Sequence, residues 1–486
     1  MNASWKRTDI VFMILCTLLG VLAEQSFFHS KIGISYFVFV TALYWTFFWR
    51  FKGFDFTNRR FGFFVLLSIW LLSSTFFLYS NMFFYGFNQL VIPVLVIFHM
   101  SLITGNQLIP WHKFSFIFYT LTRFFSTFPY VLTVLKSLKS KLKPKTSNKT
   151  TQALIKVTIG LLLSVPLLFV VILLLSSADE KFKMLVGNLP DLLIQVNPFE
   201  GIFRTLAVLI ISAVLFGYLQ VLKTHRDIVV EGKFRPGAFS WDPIIVCTLL
   251  LMVNAVYVLF ASLQFQYFFS GTLQESYTFA EYARRGFFEL LAVTLINLSL
   301  LNGVITFTHL INRALKAAVK LLLTLLIIVS GIMLVSAFVR LSLYESAYGF
   351  TFDRVLPHSF MLLLAVIFIF TLIKVWVERL SLVRFYVISA LVYYTALNMV
   401  NVDQFIVNQN MQRYEETGKI DLNHLTSLSY AGLDGLMDLY EKEPSNQKVK
   451  QILLDQKIMM KKQESWQSFN LLERKVSERL ENLSLY

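Results

Sequence analysis

Eleven stretches of this chain are apolar for long enough to cross a bilayer as helices, near 10–24, 32–49, 61–79, 82–103, 154–177, 201–221, 243–265, 286–308, 321–339, 359–377 and 384–402. A hydrocarbon layer of about 30 Å takes about 20 residues of helix, and a helix satisfies its own backbone polar groups where no water is present. The chain is 56% hydrophobic and 15% charged, with 49 Phe among its 486 residues; soluble domains run at about 45–50% and about 25%. One water-soluble core cannot hide so much apolar surface. The predicted fold is therefore all-α, a polytopic transmembrane helix bundle of about eleven spans.

The formal net charge is +15, which in a soluble protein would suggest nucleic acid. Its distribution says otherwise. With the amino terminus inside, the inner segments hold 25 of the 44 Lys and Arg residues and the outer loops hold 7, with Arg204 at the outer start of the sixth span. Positive loops stay cytoplasmic, so the expected topology has the amino terminus in and the carboxyl terminus outside a cell membrane. Residues 403–486 carry 11 basic and 13 acidic side chains, so the excess charge is topological and no nucleic-acid partner is expected. The densest run, Lys136, Lys139, Lys141, Lys143, Lys145 and Lys149 within 136–149, reads as an orientation anchor and a contact for anionic lipid headgroups.

Three regions follow: 1–150, four spans and a basic loop; 151–402, a seven-span core; and 403–486, a small extramembrane helical appendage. In the appendage, Asp421 caps a leucine-spaced helix to 440, followed by helices over about 446–463 and 466–483, with breaks at Thr417-Gly418 and Glu443-Pro444-Ser445. Lys6, Arg7 and the apolar stretch that follows resemble a secretory signal, but the second apolar run comes so soon that an uncleaved first span fits better. Segment 111–135 interleaves aromatics with His112, Lys113 and Arg123, the mixture of an interfacial helix.

Ionisable groups are costly inside a membrane, so they mark candidate sites. At the outer entrance of the eighth span Glu281, Arg285 and Glu289 recur every fourth residue with Arg284 one step around, an acid–base–acid ladder whose guanidinium forks suit phosphate or carboxylate. The ninth span closes in a cluster that runs from Arg340-Leu341-Ser342-Leu343-Tyr344-Glu345 to Asp353-Arg354, with Arg340 and Tyr344 on one face and Glu345 and Tyr348 on the next. Asp179 and Glu180 close the fifth span. The bland readings are self-neutralising helix entrances, an aromatic belt and solvated carboxylates. Asn254, Asn297 and Asn302 suit helix-to-helix hydrogen bonding. His99 and His309 are lone histidines, and Cys16 and Cys247 lie singly in apolar runs, so no metal or other cofactor is expected. A phosphate loop, an HExxH helix and a GxSxG elbow are absent from the sequence.

Ser177-Ala178-Asp179, Tyr277 to Glu289 with its Ala280-Glu281-Tyr282-Ala283-Arg284-Arg285-Gly286-Phe287-Phe288 core, and Arg340 to Arg354 resemble the bacterial membrane family called domain of unknown function 4173, related to family 4153. Asn408-Gln409-Asn410 with Arg413, Ile420-Asp421-Leu422, Leu425 and Leu428-Ser429 are similar to that family's ending, and the resemblance covers roughly 150–440. Glu180-Lys181 departs from the proline or apolar residue expected of relatives. The resemblance implies a bacterial envelope protein and supplies no activity.

Three classes of function stay open. Transport or lipid handling would use Glu281, Arg284, Arg285, Glu289, Arg340, Tyr344, Glu345 and Asp179 as an outward-facing ligand site. Signalling or assembly would use 403–486 to recruit an envelope partner. A membrane-embedded transferase would use Asp179 or Glu281 as base. The first is preferred, and the chain is not expected to be an enzyme. Reporters fused after residues 150, 235 and 315 are expected in the cytoplasm, and those after 190, 273, 350 and 486 outside. A cytoplasmic reporter at 486 contradicts the eleven-span topology.

Overall fold

A computed structural model describes residues 7–29, 31–79, 81–107, 109–141, 198–224, 241–270, 287–308, 312–459 and 465–485. Their regular structure is helical, apart from an isolated bridge between Trp241 and Thr308. The membrane-spanning expectation maps onto α1 (Arg7–Phe27), α2 (Ile34–Arg50), α3 (Arg59–Leu78) and α4 (Met82–Thr104). After α5 (Phe114–Phe125) and α6 (Thr127–Lys141) it continues in α7 (Pro198–Thr224), α8 (Pro243–Ser270), α9 (Phe287–Phe307), α10 (Arg313–Tyr348), α11 (Phe352–Trp376) and α12 (Leu382–Met399). Among the described residues nine helices are long and apolar enough to cross a membrane, and α2 is an apolar helix of 17 residues. The expected span at 154–177 lies outside the described residues, as does the lysine run beyond Lys141. The chain is an all-α polytopic membrane protein.

The tail holds α13 (Val402–Thr417), α14 (Leu422–Ser427), α15 (Ser429–Lys442), α16 (Gln447–Met459) and α17 (Leu471–Asn482). The single helix expected over 421–440 is broken between α14 and α15, where Ser429 has φ 50°. Gly432 makes the break possible: a Cβ there would lie 1.8 Å from the Leu425 carbonyl oxygen, so no side chain fits the approach of the two helices. Residues 111–135 likewise form two helices. The ring of Pro129 conflicts with the carbonyl four residues earlier, at Phe125, so the chain restarts at Thr127 with Pro129 in the first turn of α6, where its missing N–H costs nothing.

The described chain falls into two compact units, one of Met1–Phe77, Ile92–Val230 and Glu464–Phe469, the other of Leu78–Val91, Glu231–Gln463 and Asn470–Tyr486. In the first, α1 packs along α7 so closely that a Cβ on Gly20 would lie 2.1 Å from Ser212 Oγ, a small-residue contact that lets two backbones approach. Polar side chains then tie helix to helix. Arg50 donates to Asp9 at 2.7 Å and to Gln220 at 2.8 Å, Tyr44 pairs with His99 at 2.9 Å, and Arg204, the odd outer cation of the sequence, meets Glu24 at 3.3 Å and also pairs with Glu200.

In the second unit α10 is the axis. Its buried stripe, from Val319 through Leu326, Met333 and Ala337 to Leu341, packs with α8, α9 and α11. Asn297 on α9 donates to Ser330 at 2.8 Å, Asn254 on α8 to the Leu322 carbonyl at 3.0 Å, and Tyr386 on α12 reaches Thr371 at 2.9 Å and Asn302 at 3.2 Å. After α11, Glu378 accepts Lys316 and Lys320 of α10 at 2.7 and 2.9 Å, and those ammonium groups hold its carboxyl down at about 2.

The tail buries Leu425, Leu436, Met437, Val449, Leu453 and Val476 in a second cluster that also takes in Phe84, with Phe350, Phe352 and Leu397 packed against it. Asp403 is the polar joint of this cluster. It accepts Asn81 at 2.7 Å and Ser429 at 3.4 Å. Burial pushes its carboxyl up to about 6, against the downward pull of those two hydrogen bonds. A raised folded-state value means that the stability tied to the neutral acid is complete below pH 4 and is lost as pH rises through about 6. Asp403→Asn is therefore expected to raise the thermal midpoint in detergent at pH 7.5, through a stabilisation of up to about 3 kcal/mol, and to leave it nearly unchanged at pH 4. A lower midpoint at pH 7.5 would show that the ionised carboxylate is favourable where it sits.

Candidate functional site

The last turns of α10 are where the sequence puts polar groups into an apolar helix, and the structure sorts them by face. Arg340 and Glu345 are buried, at 9% and 4% exposure, Tyr344 is half-buried and Tyr348 is exposed. Carboxylates are almost never this buried unless paired. The partner of Glu345 is His358 on α11, whose Nδ1 lies 2.9 Å from Glu345 Oε2. With Nδ1 taken up by the carboxylate, Nε2 is the ring nitrogen left for a further partner. That Nε2 is buried and has no hydrogen-bond partner among the described residues. Phe338, one turn before Leu341 on α10, sets its ring edge-on to the imidazole at 3.8 Å between centroids.

Four residues before His358, Arg354 lies 4.2 Å above the Tyr344 ring and donates to the Gly349 carbonyl. The Tyr344 and Tyr348 rings are 5.2 Å apart. The end of α10 is therefore an inward carboxylate–imidazole pair beside an outward shelf of two tyrosines and a guanidinium.

The turn that carries these groups is locked by the tail. α10 stops at Gly349, whose φ of 84° favours glycine, and a Cβ there would lie 2.7 Å from Asn410 Oδ1. Asn410 on α13 clamps the next residue from both sides, accepting Phe350 N–H and donating to its carbonyl, each at 2.8 Å. Arg413, one turn on, donates to the Ser346 and Ala347 carbonyls at 3.2 and 2.8 Å, covering acceptors that a helix end leaves without partners. Asn410 and Arg413 stood out in the sequence as a tail motif, and their work is to brace the ninth-span motif.

Of the residues singled out in the sequence, Arg340, Tyr344 and Glu345 share this helix end. Glu289 is exposed at the start of α9. Asp179, Glu281, Arg284 and Arg285 lie outside the described residues. Arg354, which closes the ninth-span cluster in the sequence, belongs to the site, and His358 joins it from the structure alone. The apolar run begins at 359, one residue beyond His358, and Pro357 beside it lies inside α11. Among the described residues no three His, Cys, Asp or Glu side chains gather as a metal-binding group.

Apolar spans that pair their polar side chains helix to helix, with a polar end on the longest of them, define a multi-pass integral membrane protein. Residues 66–439 match the family described as Domain of unknown function (DUF4153), and the chain belongs to that family. No curated protein and no solved structure matches it.

Proposed function

We propose that this protein handles a lipid or lipid-like amphiphile in a bacterial cell envelope, with the polar headgroup received at the end of α10 and the apolar part among the spans. Its narrower place is with the relatives called 4173. The observation that carries the reading is the burial of Glu345 against His358 with the imidazole Nε2 left for a further partner. A purely structural pair in an apolar setting gains little over an apolar one, so groups of this kind repay a ligand that uses them. Arg354 and the tyrosine shelf offer a cation and aromatic faces beside it, chemistry suited to a phosphate- or carboxylate-bearing headgroup. The site faces outward if the Lys/Arg asymmetry sets the topology, with the amino terminus in and residues 403–486 outside.

A second reading, assembly through the appendage, has support in an open cleft of about 440 Å³ between α13 and α15, lined by Met411, Glu415, Asp438, Glu441 and Lys442.

The test is thermal unfolding of the purified protein in detergent with added phosphatidylglycerol, phosphatidylethanolamine or phosphatidylcholine. A lipid present at ten times its dissociation constant adds about 1.4 kcal/mol. The expectation is a midpoint increase with at least one lipid that Glu345→Gln and His358→Gln lose while their lipid-free midpoints still show a cooperative fold. Equal lipid shifts in wild type and both variants would remove the site from the reading.

A further inference from the structure

α5 has two apolar faces, and the protein covers only one. Around its axis Phe116, Tyr119, Thr120 and Arg123 are buried, whereas Phe114, Ile117, Phe118, Leu121 and Phe125 fill the opposite arc and are 44–64% exposed. Between the arcs on one side lie the exposed Ser115 and Thr122. Twelve residues make about 18 Å of helix, too short to cross a bilayer.

Both ends of α5 are fixed to the ends of spans. Trp111, just before it, stacks on Phe61 in the first turn of α3, with ring centroids 4.0 Å apart. Arg123, in its last turn, is fully buried, and its guanidinium donates to Thr104 Oγ1 on the last residue of α4 at 3.0 Å and to the Leu222 carbonyl in the last turn of α7 at 2.7 Å. Tyr119 lies beneath it, 5.3 Å from ring centroid to guanidinium. A helix tied at one end to the start of α3 and at the other to the ends of α4 and α7 runs along the level where those spans leave the membrane. Spanning helices of the same unit expose apolar side chains too, such as Phe63, Leu67 and Trp70 on α3. The uncovered face of α5 extends that lipid-facing surface to its edge.

We infer that α5 is an in-plane membrane helix whose Phe114, Ile117, Phe118, Leu121 and Phe125 face inserts into the headgroup–acyl boundary of one leaflet, while Arg123 bolts the opposite face to the spans. The occupant is the bilayer, in preference to a protein. The exposed apolar arc contains no charged side chain, and the exposed Lys113 at its start suits anionic headgroups. The arginine is the charged group on the covered face, and its guanidinium is taken up by a hydroxyl and a carbonyl at the ends of two spans.

The experiment is site-directed spin labelling of the full chain in vesicles of phosphatidylcholine and phosphatidylglycerol at three to one, on a background with Cys16→Ser and Cys247→Ser. Single cysteines replace Phe114, Phe118 and Phe125 on the apolar arc and Ser115 and Thr122 beside it, so that loss of fold at one position leaves others to read. Collisions with molecular oxygen are expected to exceed those with a water-soluble nickel chelate at 114, 118 and 125, with the order reversed at 115 and 122. Nickel in excess at 118 would place the face in water and overturn the inference. So would labels that neither reagent reaches, which would mean a protein cover, or spin–spin broadening at 118 that dilution with unlabelled protein removes, which would mean a second copy.

Discussion

Polar pairing between helices decides this fold, because in lipid the burial of one leucine against another gains little over leaving it against an acyl chain. What distinguishes one packing from another is where Asn, Ser, Thr, Tyr, His and Arg side chains find partners. Asn88 donates to Asn398 and accepts Tyr394, Asn297 meets Ser330, and Tyr218 donates to the Ile97 carbonyl and pairs with Ser101. Each such bond contributes about 0.6 kcal/mol on average in a membrane bundle, but an unpaired partner costs more. The penalty for a wrong register is thus larger than the reward for the right one.

The same rule concentrates chemistry at helix ends. Carbonyls at the end of α10 are taken up by Arg413, and one near the end of α7 by Arg123. In both cases a side chain from a short or non-spanning helix reaches acceptors that the span cannot satisfy alone. The appendage is in this respect continuous with the second unit: Asn410 and Arg413 hold the turn after α10, and Asp403 joins α13 to Asn81 and Ser429.

Much of this was legible in the sequence, because twenty apolar residues in a row have one physical solution. The spans within the described residues fall within a few residues of their expected places, except that α10 runs from Arg313 to Tyr348, well beyond 321–339, and α11 begins at Phe352, seven residues before 359, since polar ends satisfy helix geometry as well as an apolar middle does. Arg204 looked like an exception to the charge rule and has carboxylate partners in Glu24 and Glu200. The break at Ser429 was not legible, because leucine spacing continues across it and only the approach of Gly432 to Leu425 requires it. Of the site, Arg340, Tyr344 and Glu345 could be read from their place in an apolar helix. His358 could not, because its importance comes from a partner thirteen residues away across a turn.

Glu345 and His358 are expected to act as one unit. A double-mutant cycle of Glu345→Ala, His358→Ala and the pair, read by thermal unfolding in detergent, measures that coupling directly. The expected result is strong non-additivity, with the double variant little less stable than the worse single one and a coupling of about 1 kcal/mol or more. Additive losses would mean that the two side chains do not depend on each other, and the site described at the end of α10 would not stand.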